Sequence, residues 1–552
     1  MSKVYQKVPG LKIKRSLFNI GYQKKFDVDM GQLVPIFMKS VVPGDLIKLS
    51  QAIVVRAPAA LAPYMAELNV HTYTFFVPYR ILFGSSVADA DGFLHWNIND
   101  HDFETFISGG RTGNDVTISL PRWIPTGSNV VNDNWNGLPS TDPNSNLNDV
   151  NVTVPDNGKY SLWDYCEMPT GVIPQGAFPL DFPKRAYNMI WNEWFRDENV
   201  MSEVNVATSN IILNCCWKKD YFTSALPWQQ RGVAPALPVT GILPVQYMAS
   251  GTSAKSGLAN TVAIASTMAD FSESSANTAN LAQLYGGGGD VAMRQLYTNL
   301  SGATTFDVSD LRLAFQIQKW FERNARSGVR YVEFLKAHFG VSPTDDTLQR
   351  PMFIGGSKSP VIVSEVLQSG TGGDGVGSLF GHTIGADANK VTKFHVNEFG
   401  IIMSLMTIRP KASYHQGIDR EWLYRDRFDM YFREFANLSE QAVEIAEIYA
   451  TNSGNVDSDG KPVIFGYQGR YNELRTSNDK VCGGMRDQLA FWHMGRFFGS
   501  APQLNGQFLK CNPRKDMFSV TNEPVFIVNV GNNCKAWRPL PVFPEPGLID
   551  HY

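Results

Sequence analysis

The chain has 552 residues, length for two to four domains of ordinary size, and carries a net charge of −3. Hydrophobic residues make up 43% of it and charged residues only 18%, against about 25% charged in ordinary soluble domains, with Asn, Ser, Thr and Gly filling the difference. That balance excludes a globally basic nucleic-acid binder, though not a local basic patch. It suits a surface covered by copies of itself, and equally a loop-rich secreted sandwich.

Residues 1–25 carry Lys3, Lys7, Lys12, Lys14, Arg15, Lys24 and Lys25, with no acid before Asp27. Pro9 and Gly10 interrupt any periodicity, so the stretch is expected to be an extended basic arm. Such an arm suits phosphate contact through counterion release, with Tyr5, Phe18 and Tyr22 as stacking partners. A solvated terminus, or one draped over a partner, fits as well.

Short strands are expected at Leu33–Met38 and Leu46–Arg56 around the turn Pro43-Gly44-Asp45. Leu68 to Phe83 (LNVHTYTFFVPYRILF) then places branched and aromatic side chains on both faces, the mark of a central strand covered above and below. Pro78 ends it, having no N–H to give a ladder. Beyond it, residues 111–160 are dominated by Asn, Asp, Gly, Ser and Pro, a loop insertion.

A helix is expected from Asp181 as N-cap, with Pro183 in its first turn and Tyr187, Ile190, Trp191 and Trp194 at helical spacing. Ile211 to Trp217 reads as a strand, and the loop to Gly232 holds Tyr221, Phe222 and Trp228. Residues 233–305 form a second insertion rich in Ser, Ala, Asn, Thr and Gly, ending near the run Gly286–Gly289. Its few apolar residues, Ile264, Met268, Phe271, Leu281, Leu284 and Tyr285, can hardly offset the roughly 1–2 kcal/mol per residue of backbone ordering.

Two more helices are expected, one capped by Ser309 and one over Tyr331–His338 that stops at Gly340. Residues 361–395 read as extended pieces around a Gly-rich loop, and Ile401–Ile408 as a second central strand. The stretch 409–435, including Trp422, is crowded with aromatic residues and alternating Arg and Asp. A short acidic helix over Glu440–Tyr449, an Asp459-Gly460 turn, strands at Phe518–Val520 and Val525–Val530 and a proline-rich tail from Trp537 complete the chain. Strands far apart in sequence and separated by long excursions suit a mainly β jelly roll.

Catalytic signatures are missing from the sequence. There is no GxxxxGK[ST], HExxH or GxSxG, and the nine histidines lack ligand spacing. The carboxylate pairs Asp345–Asp346 and Asp419–Glu421 suit acid–base work only if geometry supports it. The six cysteines, Cys166, Cys215, Cys216, Cys482, Cys511 and Cys534, lack zinc or CxxC spacing and read as reduced thiols, which points to a reducing cytoplasm. No signal-peptide pattern opens the chain, and no apolar run approaches the roughly 20 residues of a membrane span. A soluble, non-enzymatic protein without cofactor, metal or membrane insertion is expected.

Several blocks carry a family resemblance: MGQLVPI with VVPGD (30–45), FFVPYRILF (75–83), PKRAYNMIWNEWFRDE (183–198), WKKDYFTSALPWQQRG (217–232), ERNARSGVRYVEFLKAHFGVSPTDDTLQRPMFIGG (322–356), YHQGIDREW (414–422) and FGYQGRYNELR (465–475). In order from end to end, they resemble the major capsid proteins of the microviruses, small single-stranded DNA bacteriophages, of the gokushovirus type. The likeness thins at 111–160, 233–305 and 361–393.

The resemblance implies an eight-stranded viral jelly-roll β-sandwich over residues 26–552, with long loop insertions and a few short helices, preceded by the basic arm 1–25. It also implies self-assembly into a T=1 icosahedral shell around circular single-stranded DNA, with scaffolding and minor virion proteins and a host cell-surface receptor as further partners. Such a virion is assembled in the bacterial host cytoplasm. On this view the arm lysines and arginine touch the genome, and Tyr187, Trp191, Trp194, Tyr221, Phe222, Trp228 and Trp422 serve subunit contacts. The apolar residues of 233–305 meet at a threefold protrusion used in host attachment. Two other classes stay open on the residues alone. Scattered Trp and paired carboxylates suit a β-sandwich carbohydrate-active enzyme, which glycan hydrolysis would reveal. A carbohydrate-binding adhesin would differ in particle mass.

Overall fold

A computed structural model describes residues 14–60, 64–90, 92, 94–108, 118–125, 128–133, 150–155, 157–172, 177–232, 245–247, 296–298, 308–327, 330–367, 379–388, 392–519 and 523–543. The chain divides into two compact units, Gln230–Arg323 and everything else. In the larger unit ten strands matter: β1 (Ser16–Asn19), β2 (Tyr22–Val28), β3 (Val34–Val41), β4 (Leu46–Ala60), β5 (Leu68–Pro78), β6 (Met352–Leu367), β7 (Leu379–Ala388), β8 (Thr392–His395), β9 (Gly400–Pro410) and β10 (Phe526–Arg538).

Their pairing is antiparallel throughout. One layer runs β3-β9-β5-β6; the other runs β7-β4-β10, with β8 also on β4 and β1 and β2 on β10. β6 joins the layers: its first part, to Val361, pairs with β5, and its second, from Ile362, pairs with β7. A register shift between Phe353 and Gly355 bends the strand. At Gly356 the backbone approach is so close that a Cβ would lie 2.4 Å from the Thr72 carbonyl oxygen. Strands of the two layers interleave in sequence, with β1 and β2, β5 and β6, and β7 and β8 as the consecutive strands within a layer, which is consistent with jelly-roll connectivity.

Between the layers, Ile47 and Leu49 of β4 and Cys534 and Ala536 of β10 pack with Phe37, Phe76 and Ile402 of β3, β5 and β9. Polar residues inside this contact are paired. Gln51 Nε2 donates to Asn532 Oδ1 at 2.7 Å, and Asn532 Nδ2 donates across to the Ile36 carbonyl at 3.0 Å. The Thr74 and Ser404 hydroxyls, opposite each other in register, lie 2.9 Å apart. Pairing of this kind removes the penalty of burying a hydroxyl or amide.

The other face of β5 is covered as well. Helix α1 (Phe182–Ile190) runs on into a wide turn over Trp191–Phe195, bringing Trp194 to 5.6 Å from the Phe75 ring and Phe195 to 5.1 Å from Tyr73. Pro183 sits in the first turn as expected, but Asp181 makes no capping hydrogen bond. Its carboxylate instead takes Lys184 at 3.0 Å and Arg185 at 2.8 Å, both nearly buried with it.

Five expectations are corrected. Ile211–Trp217 is no strand: Asn214 bridges to Gln32 and Cys216 to Lys510, two different partners, so no continuous ladder forms. Glu440–Tyr449 is not one helix, because Glu440–Glu444 pairs with Ile464–Gly469 and only Ile445–Ile448 is helical. Phe518 makes a single bridge, to Ala60, while the last strand runs through Trp537, which therefore belongs to the sheet rather than a tail. The arm ends at Arg15, since the next residues pair with β10 as β1 and β2. The turns at Gly44 and Gly460 and the stop at Gly340 are as expected, each glycine at positive φ (91°, 73° and 72°).

The layer contact sets a stability prediction. Phe76→Ala, which empties the space between β5 and the facing sheet, is expected to cost about 3–5 kcal/mol. Chemical denaturation of the unassembled chain measures it.

Candidate assembly surface and basic edge

The aromatic residues expected at subunit contacts divide by burial. Tyr187 and Trp191 are spent inside the subunit: the Tyr187 hydroxyl donates to the Leu33 carbonyl at 2.8 Å and accepts from Leu213 N–H at 2.9 Å, and Trp191 Nε1 donates to the Asn214 carbonyl at 3.1 Å. Tyr221 and Phe222 build a second core, where the Tyr221 hydroxyl donates to Glu447 at 2.9 Å and Phe222 packs edge-on against Tyr414. These four are corrected from interface to core, since burial leaves them no surface for a neighbour. Trp194 is half-buried against β5 with Arg350 over its ring, and Trp228 is half-buried. Trp422 is 74% exposed.

Trp422 belongs to a segment with an unusual share of exposed apolar side chains: Phe428, Met430, Tyr431, Phe432 and Leu438 are exposed too. The segment is nonetheless held firmly from below. Glu444 and Glu447 form a reciprocal capping box at the short helix Ile445–Ile448. Arg420 donates to Glu444 at 3.1 Å and to Glu447 at 3.2 Å, while Arg425 grips Glu444 with two bonds of 2.7 and 2.6 Å. Burial works against the Arg420 charge, but the two carboxylates outweigh it and raise its pKa. Burial also pushes the Glu447 carboxyl up, against the Glu444 N–H and Arg420, which favour its charge. Further back, Arg470 donates to the Phe428 carbonyl at 2.7 Å and the Tyr471 hydroxyl to the Met430 carbonyl at 2.9 Å. Large exposed apolar groups on a fixed backbone, interleaved with Arg, have the composition of a protein–protein contact.

The basic residues also divide. Lys24 points into the fold, donating to the Tyr165 carbonyl at 2.6 Å and pairing with Glu167 at 3.3 Å; burial lowers its pKa in spite of that partner. It is therefore withdrawn from the anion-contacting set. Lys14, Arg15 and Lys25 are exposed, and Arg15 lies 3.4 Å from the His395 ring. Lys3, Lys7 and Lys12 lie outside the described residues, as do Ile264, Met268, Phe271, Leu281, Leu284 and Tyr285. Of residues 233–305, the structure describes Val245–Tyr247 paired antiparallel with Leu296–Thr298.

Of the carboxylate pairs, Asp345 is held by Arg350 at 2.6 Å and Asp419 by Lys480. Among the described residues no group of three or more His, Cys, Asp or Glu side chains is placed to hold a metal ion, and no helix is long and apolar enough to cross a membrane. The six cysteines are free thiols, with Cys166, Cys215, Cys511 and Cys534 buried.

The family model for the phage capsid protein (F protein) matches residues 6–100 and 124–548. Capsid protein VP1 of Chlamydia phage 1 is 30% identical, over 99% of this chain and 98% of that protein. Capsid protein VP1 of Bdellovibrio phage phiMH2K is 28% identical over 99% and 98%, and that of Spiroplasma virus 4 is 29% identical over 98% and 96%.

The two clamps on Glu444 are expected to differ in worth. Glu444→Gln leaves the nearly buried Arg420 short of a charge partner and should destabilise the subunit by about 3–5 kcal/mol. Arg425→Gln removes a half-exposed partner and should cost at most about 1 kcal/mol. Denaturation of both variants, with hydrogen exchange over 420–438, measures the contrast.

Proposed function

The chain belongs to the phage capsid-protein (F protein) family, and from that premise we propose that copies of it close into a T=1 icosahedral shell around a circular single-stranded DNA genome. The observation that carries the assembly reading is the rigidly supported, exposed segment 420–438. Monomeric proteins rarely expose contiguous apolar patches larger than a few hundred Å², and a second copy of this chain is the partner a shell supplies. Stable obligate interfaces often exceed about 2,000 Å², so this segment contributes a part of the contact rather than the whole. Scaffolding and minor virion proteins act at assembly in the host cytoplasm, and the product is the virion.

The basic arm faces the genome in this reading, with Lys12, Lys14 and Arg15 as nonspecific phosphate contacts. The insertion 233–305 projects at the threefold axes and meets the host receptor. Its support is the separation of Gln230–Arg323 as a compact unit and the closure of its entering and leaving strands at Val245–Tyr247 and Leu296–Thr298. The subunit is structural and performs no catalysis.

Two experiments test these assignments. The paired change Trp422→Ser and Phe432→Ser should leave the subunit folded yet abolish shells by electron microscopy; shells of normal yield would remove the segment from the interface. Deleting 240–300 should leave shells that fail to adsorb to the host. Adsorption at the full level, or density for the segment inside the shell, would overturn the protrusion.

A further inference from the structure

The solvent face of the second layer carries its own charge pattern. Register places Lys535 of β10 directly opposite Lys48 of β4, and Lys48 directly opposite Lys393 of β8, with Asn19 of β1 beyond Lys535. Residues paired in register project from the same face, and strands lie about 4.8 Å apart, so the three ammonium stems share a row roughly 10 Å long. Alternation confirms which face it is: Ile47, Leu49, Cys534 and Ala536 are buried, while Lys393 and Lys535 are exposed and Lys48 is half-exposed. Like charges directly opposite one another weaken a sheet. Among the described residues none of the three has an ion-pair partner, and nor do Lys25 and Arg56 on the same face.

The surroundings strengthen the pattern. The next row is Leu17, Trp537, Leu46 and His395, which sets an indole and an imidazole beside the lysines. Arg15, the last residue before β1, lies 3.4 Å from that imidazole. Arg15 thus stands at the His395 end of this face. Asn529, Asn533 and Gln23 add amide donors to the face, and Leu17, Val54 and Ile527 are exposed apolar residues on it. The described carboxylate on it, Asp27, stands opposite Ile527, eight positions along β10 from Lys535 and about 27 Å away.

A row of cations without ion-pair partners among the described residues, flanked by flat rings and with Asp45 at its end already engaged by Arg538, is matched by a flexible polyanion with stackable bases. We propose that the genome's single strand crosses this sheet face along Lys535, Lys48 and Lys393, with Trp537 and His395 as base-stacking neighbours. This rests on the genome-enclosing reading above. It adds a fixed platform on the sheet to the arm, and so locates the inward face of the subunit.

Each phosphate contact on single-stranded DNA contributes about −0.7 to the slope of log affinity against log salt. The triple variant Lys48→Gln, Lys393→Gln and Lys535→Gln, in the full chain, should therefore flatten that slope by about 2 for an oligo-dT probe followed by fluorescence anisotropy. Its melting temperature should be equal or higher, since repulsion is relieved. A slope unchanged in this variant, but flattened when Lys12, Lys14 and Arg15 are changed to Gln, overturns the platform and leaves genome enclosure standing. Wild-type chain that binds no oligo-dT at any salt overturns both. Loss of poly-glutamate binding with oligo-dT binding intact reassigns the face to an acidic protein segment and also overturns the proposal.

Discussion

The structure depends on covering β5 twice. Its Phe76 face closes against the opposite sheet, and its Phe75 face is bare unless the long excursion after Pro78 folds back over it. Trp194 and Phe195 do that, helped by Arg409, which donates from β9 to the Cys216 carbonyl and to the Tyr73 hydroxyl. A strand without one of these covers would expose aromatic rings each worth several kcal/mol of burial. The excursion is thus part of the core before it is anything else, and this is why aromatic residues that look like contact surface lie inside.

That constraint explains how so much loop is tolerated. β5 and β6 are neighbours in the sheet although Pro78 and Met352 are far apart in sequence. Closing a long loop costs only slightly more than closing a short one, because the entropy grows with the logarithm of length. The expensive step, docking α1 and the turn after it on β5, is made by a fixed block. The chain between such blocks is free to lengthen, although the likeness also thins over 361–393, where β6 from Ile362 and β7 belong to the sheet.

Much of this was legible in the sequence. Two-sided strands are conspicuous, and both Leu68–Phe83 and Ile401–Ile408 stand out because most of their positions are apolar, aromatic or β-branched. β1 and β2 were hidden, since β1 is only four residues long and β2 carries Lys24 and Lys25 side by side, so the stretch reads as charge rather than as period two. Lys24 shows the limit: nothing in the sequence says that this lysine, and not Lys25, turns inward to Glu167. Register was equally hidden. Lys48, Lys393 and Lys535 are hundreds of positions apart, and only strand pairing makes them a row. The split of the aromatic residues into core and surface was out of reach for a related reason, as helical spacing marks one buried stripe without saying what buries it.

A low charge fraction sharpens what the remaining charges mean. Several are consumed inside the subunit: Lys515 is fully buried against Asp29, and Arg496 lies among the rings of Trp217, Tyr414, Phe498 and Phe508, donating to the Phe508 carbonyl at 2.6 Å. Arg420 is consumed likewise by Glu444 and Glu447. In these places a cation is matched by carboxylates, carbonyls or ring faces, as burial demands. On the sheet face the reverse holds, and cations stand in register with one another while the carboxylates are engaged elsewhere. Among the described residues, three lysines aligned without a counter-charge stand apart from these matched cations, and that contrast is what the proposed genome contact rests on.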